Sequence, residues 1–126
     1  ERPRAPLVGA VFAPHRRFGP VTVLRLVPGP QFSAEAARAL TAGAYTVASA
    51  DRMGVRFAGA SVPGGEVLSE ATPLGALQVT PDGSPLLLLA DRGTLGGYAK
   101  PAVLHGADLG RAGQLREGDR VRFAFA

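Results

Sequence analysis

The sequence predicts a mainly β protein, a closed or nearly closed β-barrel of about eight short strands with one or two short helices. Seventeen glycines and eleven prolines divide the 126 residues into short segments, which is typical of β-rich folds with many turns. Apolar and β-branched runs lie between these breakers, and one stretch combines a helix N-cap with an alanine-rich run. We expect the sheet to close because closure removes exposed strand edges.

The predicted elements form one domain over residues 1–126, since this length supports a single hydrophobic core. Residues 1–6, with two prolines and two arginines, are expected to be linker. Ser33 is a suitable N-cap for a helix over residues 34–40, and Asp108 for a second helix over residues 108–115. Strands are predicted at residues 7–12, 21–27, 45–48, 55–57, 66–69, 74–79, 86–89, 102–105 and 121–125.

The positive charge of the chain is concentrated near its amino terminus. The formal net charge is +4, and the first 25 residues hold five arginines against one glutamate, so the remaining charges cancel. No basic stripe with interleaved aromatic residues is present, and we therefore predict no nucleic-acid partner.

Several classes of site and location are disfavoured by composition. The chain has no cysteine and only two histidines, His15 and His105, so we predict no disulfide and no metal site. The cysteine usage is compatible with a reducing compartment, and cytoplasm is predicted. No apolar run approaches the ~20 residues that span a bilayer, and we expect no membrane association. The chain begins without methionine, and we expect it to be part of a longer protein.

Polar residues follow the leucine run at residues 86–89, which reads as a buried strand. Two adjacent glycines can bring backbone N–H groups close to a ligand, which predicts a binding loop here. The alternative is a tight glycine turn in which Asp91 and Arg92 pair for structure. The polar or glycine positions of this stretch are Asp91, Arg92, Thr94, Gly96, Gly97, Tyr98 and Lys100, the last being the single lysine of the chain.

One tripeptide, Ala-Asp-Arg, occurs twice, at residues 50–52 and 90–92, each time after a predicted strand. A barrel could bring the two turns together on one rim. Alternatively, each aspartate caps its own turn and pairs with its own arginine. The spacing leaves both possibilities open. The chain has no P-loop and no nucleophile motif, and its arginines and amides suit recognition of a carboxylate, amide or phosphate.

Four ordered segments resemble a known family. RLVPGPQ at 25–31, ADRMGVRF at 50–57, the stretch 74–100 and the ending DLGRAGQLREGDRVRF look like the carboxyl-terminal half of allophanate hydrolase subunit 2-like proteins. This family includes the C subunit of 5-oxoprolinase, an antagonist of a sensor-kinase inhibitor, and the carboxyltransferase part of urea carboxylase. The resemblance implies a cyclophilin-like barrel that is the second half of a two-barrel protein.

The chain departs from the family pattern at four positions, which are Ala50, Gly93, Leu95 and Ala99. The family usually has serine at position 50, glutamine at position 93, threonine at position 95 and proline at position 99. Because most of these lie in the proposed binding loop, ligand choice could differ.

The resemblance implies that the chain is part of the C subunit of an ATP-dependent 5-oxoprolinase, an enzyme that opens 5-oxo-L-proline to L-glutamate. Its partners would be homologues of the A subunit and of the B subunit, the latter allophanate hydrolase subunit 1-like, together with the amino-terminal barrel. The first alternative is a biotin-dependent carboxyltransferase acting on urea or a similar amide. The second is a regulatory module that antagonises a sensor-kinase inhibitor and catalyses nothing. We expect the fragment alone to be inactive.

The same resemblance implies roles for individual residues. The candidate catalytic residues are Arg52, Arg92 and Lys100. The candidate substrate-binding residues are Gln78, Asp91, Thr94, Gly96, Gly97 and Tyr98. The two arginines would bind an oxyanion or carboxylate, and the glycines would offer backbone N–H groups.

Overall fold

A computed structural model describes residues 21–126 of the chain. The predicted linker at 1–6, the predicted strand at 7–12 and His15 lie outside these residues. The strands are Thr22–Pro28 (β1), Tyr45–Ala50 (β2), Gly54–Ala58 (β3), Glu66–Ala71 (β4), Ala76–Val79 (β5), Pro85–Leu88 (β6), Leu95–Tyr98 (β7), Ala102–Leu104 (β8) and Arg120–Phe125 (β9). The helices are Ala34–Thr41 (α1) and Leu109–Ala112 (α2), and a 3₁₀ turn covers Gly106–Asp108.

Seven of these strands form a closed barrel in the order β1-β8-β5-β6-β3-β2-β9. Parallel pairing of β9 with β1, from Thr22 opposite Val121 to Leu26 opposite Phe125, completes the ring. The other barrel pairs are antiparallel. Strands β4 and β7 make a separate two-stranded sheet. The prediction of a mainly β, closed barrel with two short helices is confirmed.

The leucine run forms the centre of the barrel wall. Leu87 is fully buried and lies opposite Val55 of β3 on one side and Leu77 of β5 on the other. Three aromatic side chains, Tyr45, Phe57 and Phe123, pack on one another in the core with ring centroids 5.2–6.3 Å apart. The predicted buried strand is therefore confirmed, because both of its neighbours present apolar side chains to it.

Helix α1 follows its local sequence signals. Ser33 Oγ accepts a hydrogen bond from the Ala36 N–H at 3.0 Å, as expected of an N-cap. Ala36 and Leu40 face the core. None of the helices in residues 21–126 is both long enough and apolar enough to cross a lipid bilayer.

The second predicted helix, residues 108–115, is wrong in extent and in its cap. The structure has a 3₁₀ turn followed by the four residues of α2, and Asp108 makes no side-chain capping bond to this helix. Its carboxylate is committed elsewhere, to Arg25 of β1. His105 caps the 3₁₀ turn instead, because its Nδ1 accepts a hydrogen bond from the Ala107 N–H at 3.2 Å.

Arg25 and Asp108 join β1 to the segment after β8. Asp108 Oδ2 accepts hydrogen bonds from the Arg25 backbone N–H at 2.8 Å and from Nε at 3.1 Å, while Oδ1 accepts one from Nη2 at 2.9 Å. Asp108 is fully buried. These hydrogen bonds, the side-chain ones first, hold the pKa of the Asp108 carboxyl well below its ordinary value.

We predict that Asp108→Asn destabilises the protein at neutral pH. Because the folded pKa of Asp108 lies below the unfolded value, the stabilisation is complete above about pH 4 and is lost as the pH falls further. Urea unfolding at about pH 7 and about pH 3 should show the gap between parent and variant shrinking in acid. Glu117→Gln, at an exposed carboxylate, is the control. Equal stability of parent and Asp108→Asn at neutral pH would contradict this role.

We also predict that Leu87→Ala lowers the free energy of unfolding by about 2–5 kcal/mol, because it leaves a cavity in the barrel wall. Leu68 is 92% exposed, and Leu68→Ala should change that free energy by less than about 0.5 kcal/mol. Denaturant titration of both variants measures the difference, and a similar cost for the two would show that β6 is not central to the core.

Candidate functional site

The two Ala-Asp-Arg turns meet at one end of the barrel. Strand β3 begins after the first turn and β6 ends before the second, and the two strands are antiparallel partners with Gly54 opposite Leu88. The turns are therefore neighbours, and the Asp91 N–H donates to the Arg52 carbonyl at 3.0 Å. The possibility that the barrel brings the turns together is the correct one.

The charges of the two turns are paired across them. Arg52 Nε lies 3.0 Å from Asp91 Oδ2. The alternative pairing of Asp91 with Arg92 is thus not the one that the structure shows. Asp51 does cap its own turn, since its Oδ1 accepts hydrogen bonds from the N–H groups of Met53 at 2.8 Å and Gly54 at 3.1 Å. Asp51 therefore orients its own turn, whereas the Asp91 carboxylate orients the exposed Arg52 side chain.

A cavity of about 570 Å³ lies beside the first turn. Its walls are mostly apolar and come from the barrel end and from α2 and the residues after it. Asp51 and Arg52 provide its charged groups. The larger apolar side chains that line it are Val55, Leu74, Leu89, Leu109 and Leu115. Such a cavity suits a ligand with an apolar body and one polar end.

A second cleft, of about 580 Å³, lies on the other side of the second turn. Most of its exposed lining is apolar, but it holds the charged side chains of Glu70 and Arg92, and for these we call it the polar cleft. Leu89 and Ala90 of this turn line the apolar cavity, whereas Arg92 lines the polar cleft. The remaining residues of the polar cleft are Pro30, Glu70, Ala71, Thr72, Pro73 and Thr94. Arg92 and Thr94, two of the predicted site residues, are thus brought together here.

Arg92 is held by backbone carbonyls. Its Nε donates to the Thr72 carbonyl at 2.7 Å and its Nη1 to the Leu89 carbonyl at 3.4 Å. Nη2 makes no hydrogen bond within residues 21–126. Thr72 is fixed in turn, because its hydroxyl donates to the Gly93 carbonyl. The guanidinium is therefore oriented in the cleft with donor capacity to spare.

The loop predicted around Gly96 and Gly97 is not a loop, because both glycines belong to strand β7. Gly96 lies opposite Glu70 of β4. Neither glycine has a positive φ angle. Close packing explains the first glycine: a Cβ at Gly96 would lie 2.7 Å from Gln78 Nε2 and 3.0 Å from Thr72 Cγ2. The prediction failed since a glycine pair without apolar alternation carries no strand signal.

Lys100 is fully buried. Its Nζ lies 2.9 Å from Glu70 Oε2 and donates to the Tyr98 carbonyl at 3.3 Å. Gln31 bridges the same pair, because its Nε2 donates to Glu70 Oε2 at 3.0 Å and its Oε1 accepts from the Lys100 N–H at 2.8 Å. Hydrogen bonds from Lys100 and then Gln31 lower the pKa of the Glu70 carboxyl.

Neither Glu70 nor Gln31 is predicted as a site residue from the sequence. The sequence held a signal for each residue. A single lysine between apolar segments requires a carboxylate partner if it is buried, and Gln31 lies in the PGPQ segment, which is part of one of the family motifs. Gly29 of this segment approaches the lysine backbone so closely that a Cβ there would lie 2.3 Å from the Lys100 carbonyl oxygen.

Tyr98 and Gln78 are among the predicted residues that do not line the polar cleft. Tyr98 lines a third cleft, of about 330 Å³, together with Glu66 and Asp82. Gln78 lies on β5 beside Gly96. No three His, Cys, Asp or Glu side chains of the described residues cluster closely enough to hold a metal ion.

The profile of the carboxyltransferase domain, subdomain A and B, matches residues 5–125 of the chain. The chain belongs to this family. The carboxyltransferase-domain assignment confirms the resemblance seen in the sequence motifs.

Individual relatives are similar to this carboxyltransferase domain. The C subunit of 5-oxoprolinase from Haemophilus influenzae is 44% identical over 78 residues, which are 60% of this chain and 25% of that protein. The crystal structure of TTHA0988 has a TM-score of 0.81 and 52% identity, covering 97% of this chain and 25% of that one. Kluyveromyces lactis urea carboxylase has a TM-score of 0.73 and 25% identity, covering 80% and 10%. The chain thus spans about a quarter of the first two relatives.

We predict that Arg52→Ala changes the free energy of unfolding by less than about 1 kcal/mol, because its ion pair with Asp91 is solvent-exposed. Gly54→Ala in the same turn should cost more than that, since a Cβ there would lie 2.6 Å from the Leu87 carbonyl oxygen. Urea unfolding of the two variants tests the contrast. A large loss with Arg52→Ala would mean that this arginine is structural.

Proposed function

We propose that the chain is part of the C subunit of an ATP-dependent 5-oxoprolinase complex, which opens 5-oxo-L-proline to L-glutamate. The observation that carries the proposal is the 44% identity with the C subunit of a 5-oxoprolinase over 78 residues. The polar cleft supports it, because Arg92 is oriented there by two backbone carbonyls and retains free N–H donors.

The reaction requires N–H donors such as those of Arg92. The lactam of 5-oxoproline is an unstrained amide, so its oxygen would be phosphorylated by ATP before water attacks the ring carbon, and negative charge would develop on the phosphoryl oxygens as phosphate leaves. Preorganised cationic N–H groups stabilise that charge at little cost in reorganisation. We assign this role to Arg92, with Thr94 beside it in the cleft. Arg52, held by Asp91, lines the separate apolar cavity and is kept as a candidate ligand for a carboxylate there. Gln78, Gly96, Gly97 and Tyr98 remain secondary candidates for orienting contacts.

ATP would supply the phosphoryl group that activates the amide oxygen. We assign no residue of this chain to it. The single lysine, Lys100, is buried against Glu70, and the sequence has no glycine-rich phosphate loop. Homologues of the A and B subunits and an amino-terminal barrel are the proposed partners, with ATP held by one of those proteins.

A second candidate function is biotin-dependent carboxyl transfer to urea or a similar amide. The similarity to urea carboxylase, at a TM-score of 0.73, favours it. The residues present fit biotin, since the apolar cavity offers its leucine side chains to the ring system and Arg52 to the ureido oxygen. Biotin, when bound, carries the carboxylate. A biotinylated carrier that copurifies with the full-length protein, detected with streptavidin, would support this candidate over the first.

We predict that Arg92→Ala lowers ATP-dependent glutamate release by about 100-fold or more in the reconstituted complex of full-length subunits, because an oxyanion donor is lost. Size-exclusion chromatography should show the complex still assembled. Arg122→Ala, at an exposed arginine of β9, is the matched control and should leave the rate unchanged.

Three outcomes separate the candidates. An unchanged rate with Arg92→Ala removes that residue from the site. A wild-type complex that assembles but releases no glutamate contradicts the 5-oxoprolinase proposal. Tight binding to the homologue of the B subunit without any turnover would instead favour the regulatory module.

A further inference from the structure

Glu70 is a charged residue of the polar cleft whose position is determined by two groups behind it, the buried Lys100 and the half-buried Gln31. Its Oε2 receives two donors, Lys100 Nζ at 2.9 Å and Gln31 Nε2 at 3.0 Å. The lysine is 0% exposed, whereas the Glu70 side chain is 37% exposed and lines the cleft. The carboxylate therefore has one buried, fully engaged side and one side toward the cleft.

The buried ammonium needs this arrangement. Burying an unpaired lysine is costly, and a carboxylate partner with further hydrogen bonds offsets that cost. The Tyr98 carbonyl accepts from Lys100 Nζ, and Gln31 is anchored by the Lys100 N–H. A glutamate that served only as the counter-charge would need no access to a cleft. Here both Lys100 and Gln31 contact Oε2, which leaves Oε1 as the acceptor that a ligand can reach.

The cleft then has an acceptor and a donor of fixed orientation. Glu70 can only accept hydrogen bonds while ionised, and hydrogen bonds from Lys100 and Gln31 keep its pKa low. Arg92 can only donate. A purely anionic ligand would be repelled by Glu70, and a purely cationic one by Arg92. A secondary amide or a urea, which presents N–H and C=O groups together, matches both residues.

We propose that Glu70 binds the N–H group of an amide or urea ligand in this cleft while Arg92 binds its oxygen, and that Lys100 and Gln31 are positioning residues for Glu70. The assignment of the ligand as 5-oxoproline rests on the proposed function; the requirement for an N–H group does not. Lys100, a catalytic candidate from the sequence, thereby acts through Glu70 and does not contact the substrate.

Equilibrium binding to the full-length protein tests the proposal with two matched ligand pairs. These are 5-oxoproline against N-methyl-5-oxoproline, and urea against tetramethylurea. Wild-type protein should bind the N–H member of at least one pair about tenfold or more tightly than its N-methyl partner, since a charge-assisted hydrogen bond is lost on methylation. Glu66→Gln, which alters an exposed carboxylate on the same strand, should keep this preference.

Glu70→Gln should reduce the preference severalfold. Because it also removes the counter-charge of Lys100 and could impair folding, Glu70→Met/Lys100→Met is measured as well, with circular dichroism to establish that it is folded. Removing both charges together avoids a buried unpaired ion. The folded double variant should bind the members of each pair within about twofold of each other. Gln31→Leu, which keeps the carboxylate but loses its support, should lower the preference partly.

The proposal is overturned if wild-type protein discriminates within neither pair, or if the folded double variant retains the wild-type preference. These outcomes are independent of the proposed reaction. Selective N–H binding without glutamate release would contradict the 5-oxoprolinase assignment and leave this binding site standing. Glutamate release that does not depend on Glu70 would support the 5-oxoprolinase assignment and contradict this binding role.

Discussion

The parallel pairing of β1 with β9 is the constraint on which the rest of the structure depends. It joins the first described strand to the last one and closes the ring of seven strands. A closed ring gives each strand two neighbours, so the leucine strand β6 can be apolar along its length without leaving an edge exposed. The ion pair between Arg25 and Asp108 adds a second tie, from β1 to the segment that continues into α2. Helix α2 then forms a wall of the apolar cavity.

Closure also determines where the candidate site lies. Strands β3 and β6 are antiparallel neighbours, so the turns at their adjacent ends share one rim. The turn at residues 89–92 contributes to both the apolar cavity and the polar cleft. This one backbone segment thus places Arg92 in the polar cleft and, through Asp91, orients Arg52 at the apolar cavity. Groups that are spaced by hydrogen-bonded strands lose little entropy on binding a ligand, which suits a recognition site.

The β4–β7 sheet supplies the other half of the polar cleft. Glu70 lies on β4 and Thr94 directly precedes β7, and Gly96 allows the sheet to pack closely on Gln78. Behind it, the segment at residues 29–31 is bonded to the backbone of Lys100 and Pro101. A buried lysine is a costly feature in a small core, and its position behind a residue of a ligand-sized cleft argues that Glu70 needs to be held ionised and in one place.

Features that depend on neighbouring residues were predictable from the sequence. The short apolar runs between glycine and proline residues predicted most of the strands, and Ser33 predicted the start of α1. The ordered motifs indicated the family. The tertiary structure alone decided the pairings between distant residues. Asp91 could have met either of two arginines, Asp108 could have capped a helix, and Lys100 could have been exposed. Their actual partners lie in distant strands or turns, and a charge selects a partner by distance and burial, which no local pattern encodes.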